Sequence, residues 1–320
     1  MWKTIFRRIL LMIPQLFILS IIVFILGALM PGDALTGLID PTIGPEQIEA
    51  MREQLGLNKP WPERYFDWMG GILQGDFGRS WQHRMPVTQI IQQRIWPTLW
   101  LSLLTTIITY AIALPLGLLS GRYENSWIDR FVNFYNFLSY SIPSFVLGLL
   151  MLWLFGYTLD WFPTRGTVGS QVTPGTIDYV LSRLNHMILP ALTLALISTT
   201  STIQYLRTGI IDAKSQDYVR TARAKGVPES KVYSRHIFRN SLLPIAAFMG
   251  YTITGLISGA TITETIFTYQ GMGLLFISSI NQRDFSVMTA LVLLFGLMTL
   301  LGTLLSDIIM VFVDPRIRID

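Results

Sequence analysis

Six stretches of this chain are each long and apolar enough to cross a bilayer, and that leaves few folds open to it. They run approximately Ile9–Met30, Thr98–Ser120, Val132–Gly156, Met187–Tyr205, Leu242–Ile262 and Phe285–Val313. A spanning helix needs about 20 mostly apolar residues. Composition agrees: 51% of residues are hydrophobic and 14% charged, against about 25% charged in soluble domains. The expected fold is an all-α polytopic membrane protein with six transmembrane helices. Lys3, Arg7 and Arg8 precede the first run as they would in a signal peptide. The run is longer than a signal's apolar region, however, and Met30-Pro31-Gly32-Asp33 is not a small-residue cleavage site. It reads as a retained anchor. The last run is long enough to tilt or to reach past the bilayer.

Basic residues orient the chain. With the N-terminus inside, the inner segments hold 15 Lys/Arg, eight of them between Arg207 and Arg239, and the two short outer loops hold only Arg165, Arg183 and Arg283. The outer loop from Pro31 to Pro97 holds six, but loops longer than about 60 residues count little. Both termini are therefore expected in the cytoplasm. The net charge of +4 suits basic residues beside lipid headgroups and does not by itself indicate nucleic acid. With no cysteine and three scattered histidines, His83, His186 and His236, the chain offers no disulfide frame, thiolate metal site or cysteine nucleophile.

The organisation follows. Residues 1–30 form an inner tail and the first span, and 31–97 an extracytoplasmic loop domain. Residues 98–313 form the core, with an inward loop over 206–241, and 314–320 a second inner tail. In the outer domain Pro45–Leu55 and Trp61–Leu73 read as helices, and Gly75-Asp76-Phe77-Gly78 as a turn. A small cap packed on the bundle is the plainest use of its aromatics. The fourth span is the most polar, with Ser198-Thr199-Thr200-Ser201-Thr202. Such residues pack helices closely or line an aqueous path, with Ser198 and Thr202 the candidates. Glu264 and Asp307 are the acidic residues nearest the spans. Ionisable groups there are functional candidates, although Glu264 can equally serve as a local cap.

The inward loop, Asp217 to Pro244, is basic and largely polar between two apolar runs. Asp217 is placed to cap a helix over Tyr218–Lys225, Gly226 to end it, and Pro228 to open a second helix towards Asn240. Val219, Ala222 and Gly226 fall on one face, which reads as a close-contact surface rimmed by Arg220, Arg223 and Lys225. From the residues alone this is a docking element, a lipid-surface helix pair or a plain connector. A DNA-binding helix-turn-helix is disfavoured because both ends are tied to spans.

The same segment resembles the EAA loop of ABC importer permeases: Arg220-Thr221-Ala222, Gly226, then Leu243-Pro244. Arg220 replaces the usual Glu and the glycine-to-proline spacing is longer. Both departures are similar to the peptide branch, the DppB/OppB-like permeases, where Tyr-Val-Arg-Thr-Ala-Arg-Ala-Lys-Gly is typical. Further stretches carry the resemblance in order along the chain: Pro31-Gly32-Asp33, Leu55-Gly56-Leu57, Arg64-Tyr65, Gly75-Asp76-Phe77-Gly78, Pro86-Val87, Thr263-Glu264-Thr265-Ile266-Phe267, Gly271-Met272-Gly273, Arg283-Asp284 and Asp314-Pro315-Arg316.

The resemblance implies a type I ABC importer permease fold in a bacterial inner membrane. It implies a second homologous permease subunit, two cytoplasmic ATPase subunits, an extracytoplasmic solute-binding protein and a peptide cargo. The ATPase-coupling residues it implies are Tyr218, Val219, Arg220, Thr221, Ala222, Arg223, Gly226 and Pro244. The chain lacks a Gly-x-x-x-x-Gly-Lys-Ser/Thr loop, so ATP and magnesium are expected on the ATPase partners and no cofactor or catalysis in this chain. A nickel or other small-solute importer is the alternative within the family. A proton-coupled carrier would need titratable relays inside the spans, and an intramembrane protease a paired aspartate or a Ser with a His; neither pattern is evident.

Overall fold

A computed structural model describes residues 2–29, 45–54 and 58–313. The motif residues Pro31-Gly32-Asp33, Leu55-Gly56-Leu57 and Asp314-Pro315-Arg316, and the boundaries drawn through 30–44 and 314–320, lie outside the described residues. Among the described residues the regular structure is helical apart from one isolated bridge, Arg79 to Pro86. In chain order the helices are α1 (Trp2–Ala28), α2 (Pro45–Gln54), α3 (Trp61–Leu73), α4 (Val87–Arg122), α5 (Trp127–Ser141) and α6 (Ser144–Met151), which runs on as a wide π turn to Thr158. After them come α7 (Ile177–Lys214), α8 (Asp217–Ala224), α9 (Glu229–Lys231), a second π segment to Ile237, and α10 (Phe238–Ser241). The chain closes with α11 (Leu243–Gly259), α12 (Thr261–Ile266), α13 (Met272–Asn281) and α14 (Phe285–Val313).

Four of these helices are each long and apolar enough to span on their own: α1, α4, α7 and α14. Two of the six expected spans are not single long helices. The third, Val132–Gly156, is two helices, α5 and α6, bent by 101°. The cause is Pro143: a residue before proline is pushed out of the helical region, and Ile142 has φ −89° and ψ 120°. The fifth, Leu242–Ile262, is the 17-residue α11, about 26 Å long at 1.5 Å per residue. It stops at Ala260, before α12.

Two spans are also longer than their apolar cores suggest. Helix α4 has 36 residues and α7 has 38, about 54 and 57 Å of rod against a hydrocarbon core of about 30 Å. Together they form the axis of the bundle. Leu101 packs with Met187 and Leu189, and lower down Gly117 faces Leu206 and Gly121 faces Ile210, so the two helices run parallel. A Cβ on Gly121 would sit 2.8 Å from the Ile210 Cβ and 3.0 Å from the Arg207 carbonyl oxygen. Small residues at 113, 117 and 121 thus let the backbones close, the usual mode of packing where lipid supplies no hydrophobic drive.

Helix α14 sits between α1 and α11. Arg8 Nε lies 2.8 Å from Asp307 Oδ2, and Leu19 faces Gly296, so α1 and α14 are antiparallel. Gly250 of α11 abuts the backbone of Gly302 and Ser306, and the Tyr251 N–H donates to Ser306 Oγ at 3.0 Å. Helix α3 packs on α1 through buried Tyr65, whose hydroxyl meets Ser20 Oγ at 2.7 Å and whose ring stands edge-on to Phe17 and Phe24. The Gly75–Gly78 turn forms as expected, with both glycines at positive φ and Gly78 N–H donating to Asp76 Oδ1 at 2.9 Å.

Candidate functional site: the α8–α10 hairpin and the end of the bundle

Helix α8 is short because its ends are strongly marked. Gln216 is the N-cap and makes no side-chain capping bond, so Asp217 is the first helical residue and not the cap expected of it. Its charge still suits the positive end of the helix. At the other end Val227 N–H donates to Ala222 O (3.2 Å) and Gly226 N–H to Arg223 O (2.9 Å), the paired bonds of a Schellman motif. That motif needs a left-handed residue, and Gly226 has φ +73°. Pro228 is the N-cap of α9 rather than its first residue. Arg223 straddles the turn, donating from Nε to Glu229 Oε1 at 2.7 Å. That bond and the adjacent negative charge raise the arginine further above its ordinary pKa.

The face of α8 carrying Val219 and Ala222 does not await a partner. Both side chains are buried in a core with Leu206, Ile210 and Ala213 of α7, Val232 and Ile237 of the second π segment, and Ile245 of α11. The reason is hydrophobic: α8 has just these two apolar positions one turn apart on its inner side, and burying them removes apolar surface from water. This corrects the expectation that Val219, Ala222 and Gly226 together present a docking face. The outward side of the hairpin is Tyr218, Arg220, Thr221, Arg223, Lys225 and Gly226, all exposed, with Pro244 exposed at the start of α11. A Cβ on Gly226 would meet nothing within 4 Å.

The bundle is clamped where the hairpin joins it. Asp129, nearly fully buried, accepts from Arg207 Nε (2.7 Å) and Nη2 (2.8 Å), Ser120 Oγ (2.6 Å), Asn125 N–H (2.9 Å) and Asn133 Nδ2 (2.9 Å). One carboxylate therefore ties α4, the following turn, α5 and α7. The Arg122 guanidinium lies 4.7 Å from the Tyr233 ring centre, a cation–π contact to the hairpin, and Lys214 Nζ donates to Arg122 O at 3.2 Å. Sequence reading passed over Asp129 and Arg207. The sequence signal is weak, because Asp129 lies in the polar stretch before the third apolar run and Arg207 just after the fourth, and only the fold brings the two charges together.

The path candidates separate. Thr199 and Thr200 are buried, and Thr199 bonds Tyr135 OH (2.6 Å) and Leu196 O (2.8 Å), so part of the Ser/Thr run serves packing. Ser198 and Thr202 are half-buried beside an exposed polar stripe of Ser201, Gln204 and Thr208. Glu264 is fully buried and spoken for: Oε1 accepts from Thr98 Oγ1 (2.8 Å), and Oε2 from the N–H groups of Gly273 (2.8 Å) and Leu274 (3.0 Å). It caps α13 in place of Gly271, which has no side chain. Glu264 lies level with Thr98, whereas Ile203, beside Thr202, faces Gly117, roughly 28 Å away along α4. These residues do not form one site.

Two of the motif stretches, Arg283-Asp284 and Gly271-Met272-Gly273, are held by residues outside the motifs. Ser80 Oγ bonds Asp284 Oδ2 and Trp81 Nε1 donates to Arg283 O at 3.2 Å, joining the outer turn to the start of α14. Thr98 accepts from Met272 N–H at 2.8 Å, joining α4 to α13.

Several helices long and apolar enough to span, with a charged hairpin packed onto the end of the bundle, define a polytopic membrane protein. The chain belongs to the binding-protein-dependent transport system inner membrane component family, matching it over residues 113–319 and its N-terminal counterpart over residues 1–103. It is similar to the oligopeptide transport system permease protein AppB of Bacillus subtilis (38% identity, 98% of each chain). It is also similar to the glutathione transport system permease protein GsiC of Escherichia coli K12 (34%, 99% of each chain). It is thus a multi-pass inner-membrane permease subunit that works with a binding protein and ATPase partners.

Proposed function

We infer that this chain is one of two similar permease subunits of an ATP-driven peptide importer, with both termini in the cytoplasm. The observation that carries the coupling role is the two-sided α8 hairpin. Its inner face is welded to α4, α7 and α11, and its outer face is basic and exposed. Two ATPase subunits, holding ATP and magnesium, are the partners for that outer face. A push or pull there moves α4 and α7 as rods, because Val219 and Ala222 share their core and Asp129 locks their ends. The rods deliver the movement to the opposite end of the membrane, where the binding protein presents cargo. The exposed stripe Ser201–Gln204–Thr208 then lines the path between the two permease subunits, with Ser198 and Thr202 at its margins. Peptide cargo follows from the relatives named above.

The test is uptake of labelled peptides of graded length by the assembled importer in proteoliposomes. Uptake should require ATP, and transport that persists after ATP depletion overturns the reading. The Gly226→Glu variant isolates the docking role. Its side chain enters open space, and a left-handed non-glycine residue costs only about 1–2 kcal/mol. The variant should stay in the membrane and hydrolyse ATP without matching uptake; normal coupled uptake would remove the hairpin from the mechanism.

A further inference from the structure

The end of the bundle opposite the hairpin holds a cleft of about 430 Å³, within the roughly 300–1,000 Å³ of small-molecule sites. Its walls include Arg94, Trp96 and Trp100 of α4, Tyr179 and Arg183 of α7, and Gln270 from the turn before α13. No aspartate or glutamate lines it. Both arginines are half-buried, and among the described residues neither is ion-paired. The acidic group nearest in effect to Arg94 is Glu264, but both its oxygens are taken by Thr98 and the start of α13. The tryptophans are 59% and 47% exposed.

The cleft is built on a fixed floor. Tyr269, fully buried, donates its hydroxyl to Pro97 O at 3.1 Å, and Thr98 joins Glu264 to Met272 N–H. These bonds hold α4 one turn after Arg94, so its guanidinium is presented from a stiff support. Two unpaired guanidinium groups in one cleft are an anion site, and their planar forks match a carboxylate in two-pronged fashion. Aromatic faces beside them cover apolar or planar groups next to that anion.

We propose that this cleft takes the C-terminal carboxylate of a peptide as cargo enters, with the tryptophans against the adjoining residue. The assignment rests on the peptide-import reading. It selects the carboxylate end because the two termini of a peptide differ in sign, and the cleft offers two cations and no anion.

The experiment uses the assembled importer in proteoliposomes with saturating binding protein. Two peptides of one sequence are compared, one ending in a carboxylate and one in a carboxamide. Wild-type uptake should favour the carboxylate by roughly tenfold or more, the worth of a charge-assisted hydrogen bond. The Arg94→Gln/Arg183→Gln variant should bring that ratio close to one, and Arg94→Lys/Arg183→Lys should restore part of it. A ratio that survives in the Gln variant overturns the proposal. If both uptakes fall together with the ratio kept, the cleft is a docking point for an acidic surface of the binding protein. A wild-type importer that carries neither peptide refutes the peptide reading itself, and the proposal with it.

Discussion

Asparagine at position 129 would remove the charge that holds three helices together, and the size of the effect can be worked from the bonds. Oδ1 of Asp129 takes Ser120 Oγ, Asn133 Nδ2 and Arg207 Nε, while Oδ2 takes Asn125 N–H and Arg207 Nη2. An amide must place its NH2 where one oxygen stood. Whichever way it turns, at least two donors then face a donor. Each orphaned donor costs about 1–3 kcal/mol, and breaking one side of a buried pair costs about 3–5 kcal/mol in total. Arg207 keeps 21% of its side chain exposed, so water recovers part, which puts Asp129→Asn near 3 kcal/mol. Detergent-titrated unfolding of the purified chain measures it, within a cycle containing Arg207→Met. The double variant should recover much of the loss, because no charge is then left unpaired. Reversing the pair, Asp129→Arg with Arg207→Asp, should not recover it, since Ser120, Asn125 and Asn133 still aim donors at position 129. A loss for Asp129→Asn within about 0.5 kcal/mol of zero, the range of ordinary surface changes, or penalties that simply add, would refute the clamp.

Two further substitutions probe the packing. Glu264→Gln keeps an oxygen for the Gly273 and Leu274 N–H groups and an amide for Thr98, so uptake should stay near wild type, whereas Glu264→Ala should cost about 1–2 kcal/mol as a lost cap. A large uptake defect in the glutamine variant alone, with folding intact, would show that the carboxyl titrates in transport. Gly250→Leu should be among the most damaging single changes, because even a Cβ there lies 2.5 Å from Ser306 N and 2.6 Å from Gly302 O. Forcing α11 from α14 should cost about 1–3 kcal/mol or more, read as lost accumulation in the membrane, and accumulation at the wild-type level would contradict the packing.

Much of this architecture was legible in the sequence, and what was not has identifiable causes. The helix read over Trp61–Leu73 coincides with α3, and apolar length located α14 to the residue. It underestimated α4 and α7, whose outer turns carry residues such as Gln92, Arg94 and Arg183 that window hydropathy scores as loop. Proline was the ambiguous letter. Pro14, Pro97, Pro115 and Pro190 sit inside continuous helices, but Pro143 breaks one. Spanning helices tolerate proline where neighbours satisfy the freed backbone groups, and a single chain's sequence does not say which neighbours those are. At Pro143 the preceding helix was already pinned, Tyr135 OH and Ser139 Oγ both donating to Leu196 O at 2.8 and 3.0 Å. The chain turns there instead of continuing.

The hairpin illustrates the other kind of failure. The sequence marks its residues and its glycine stop at Gly226, but places both helix starts one residue off and inverts the side it shows. A face of small residues on a short helix fits a partner's backbone and the chain's own core equally well. Periodicity gives the face, and only the position of Leu206, Ile210 and Ile245 decides what covers it. With that face inside, the hairpin is part of the bundle rather than an appendage. Any force on Arg220, Thr221 or Tyr218 must then pass into α7 through Val219 and Ala222. Shortening Val219 to alanine would loosen that joint while leaving every outward residue in place. Coupling should therefore weaken without a change in ATPase binding, an outcome that a purely outward docking face would not produce.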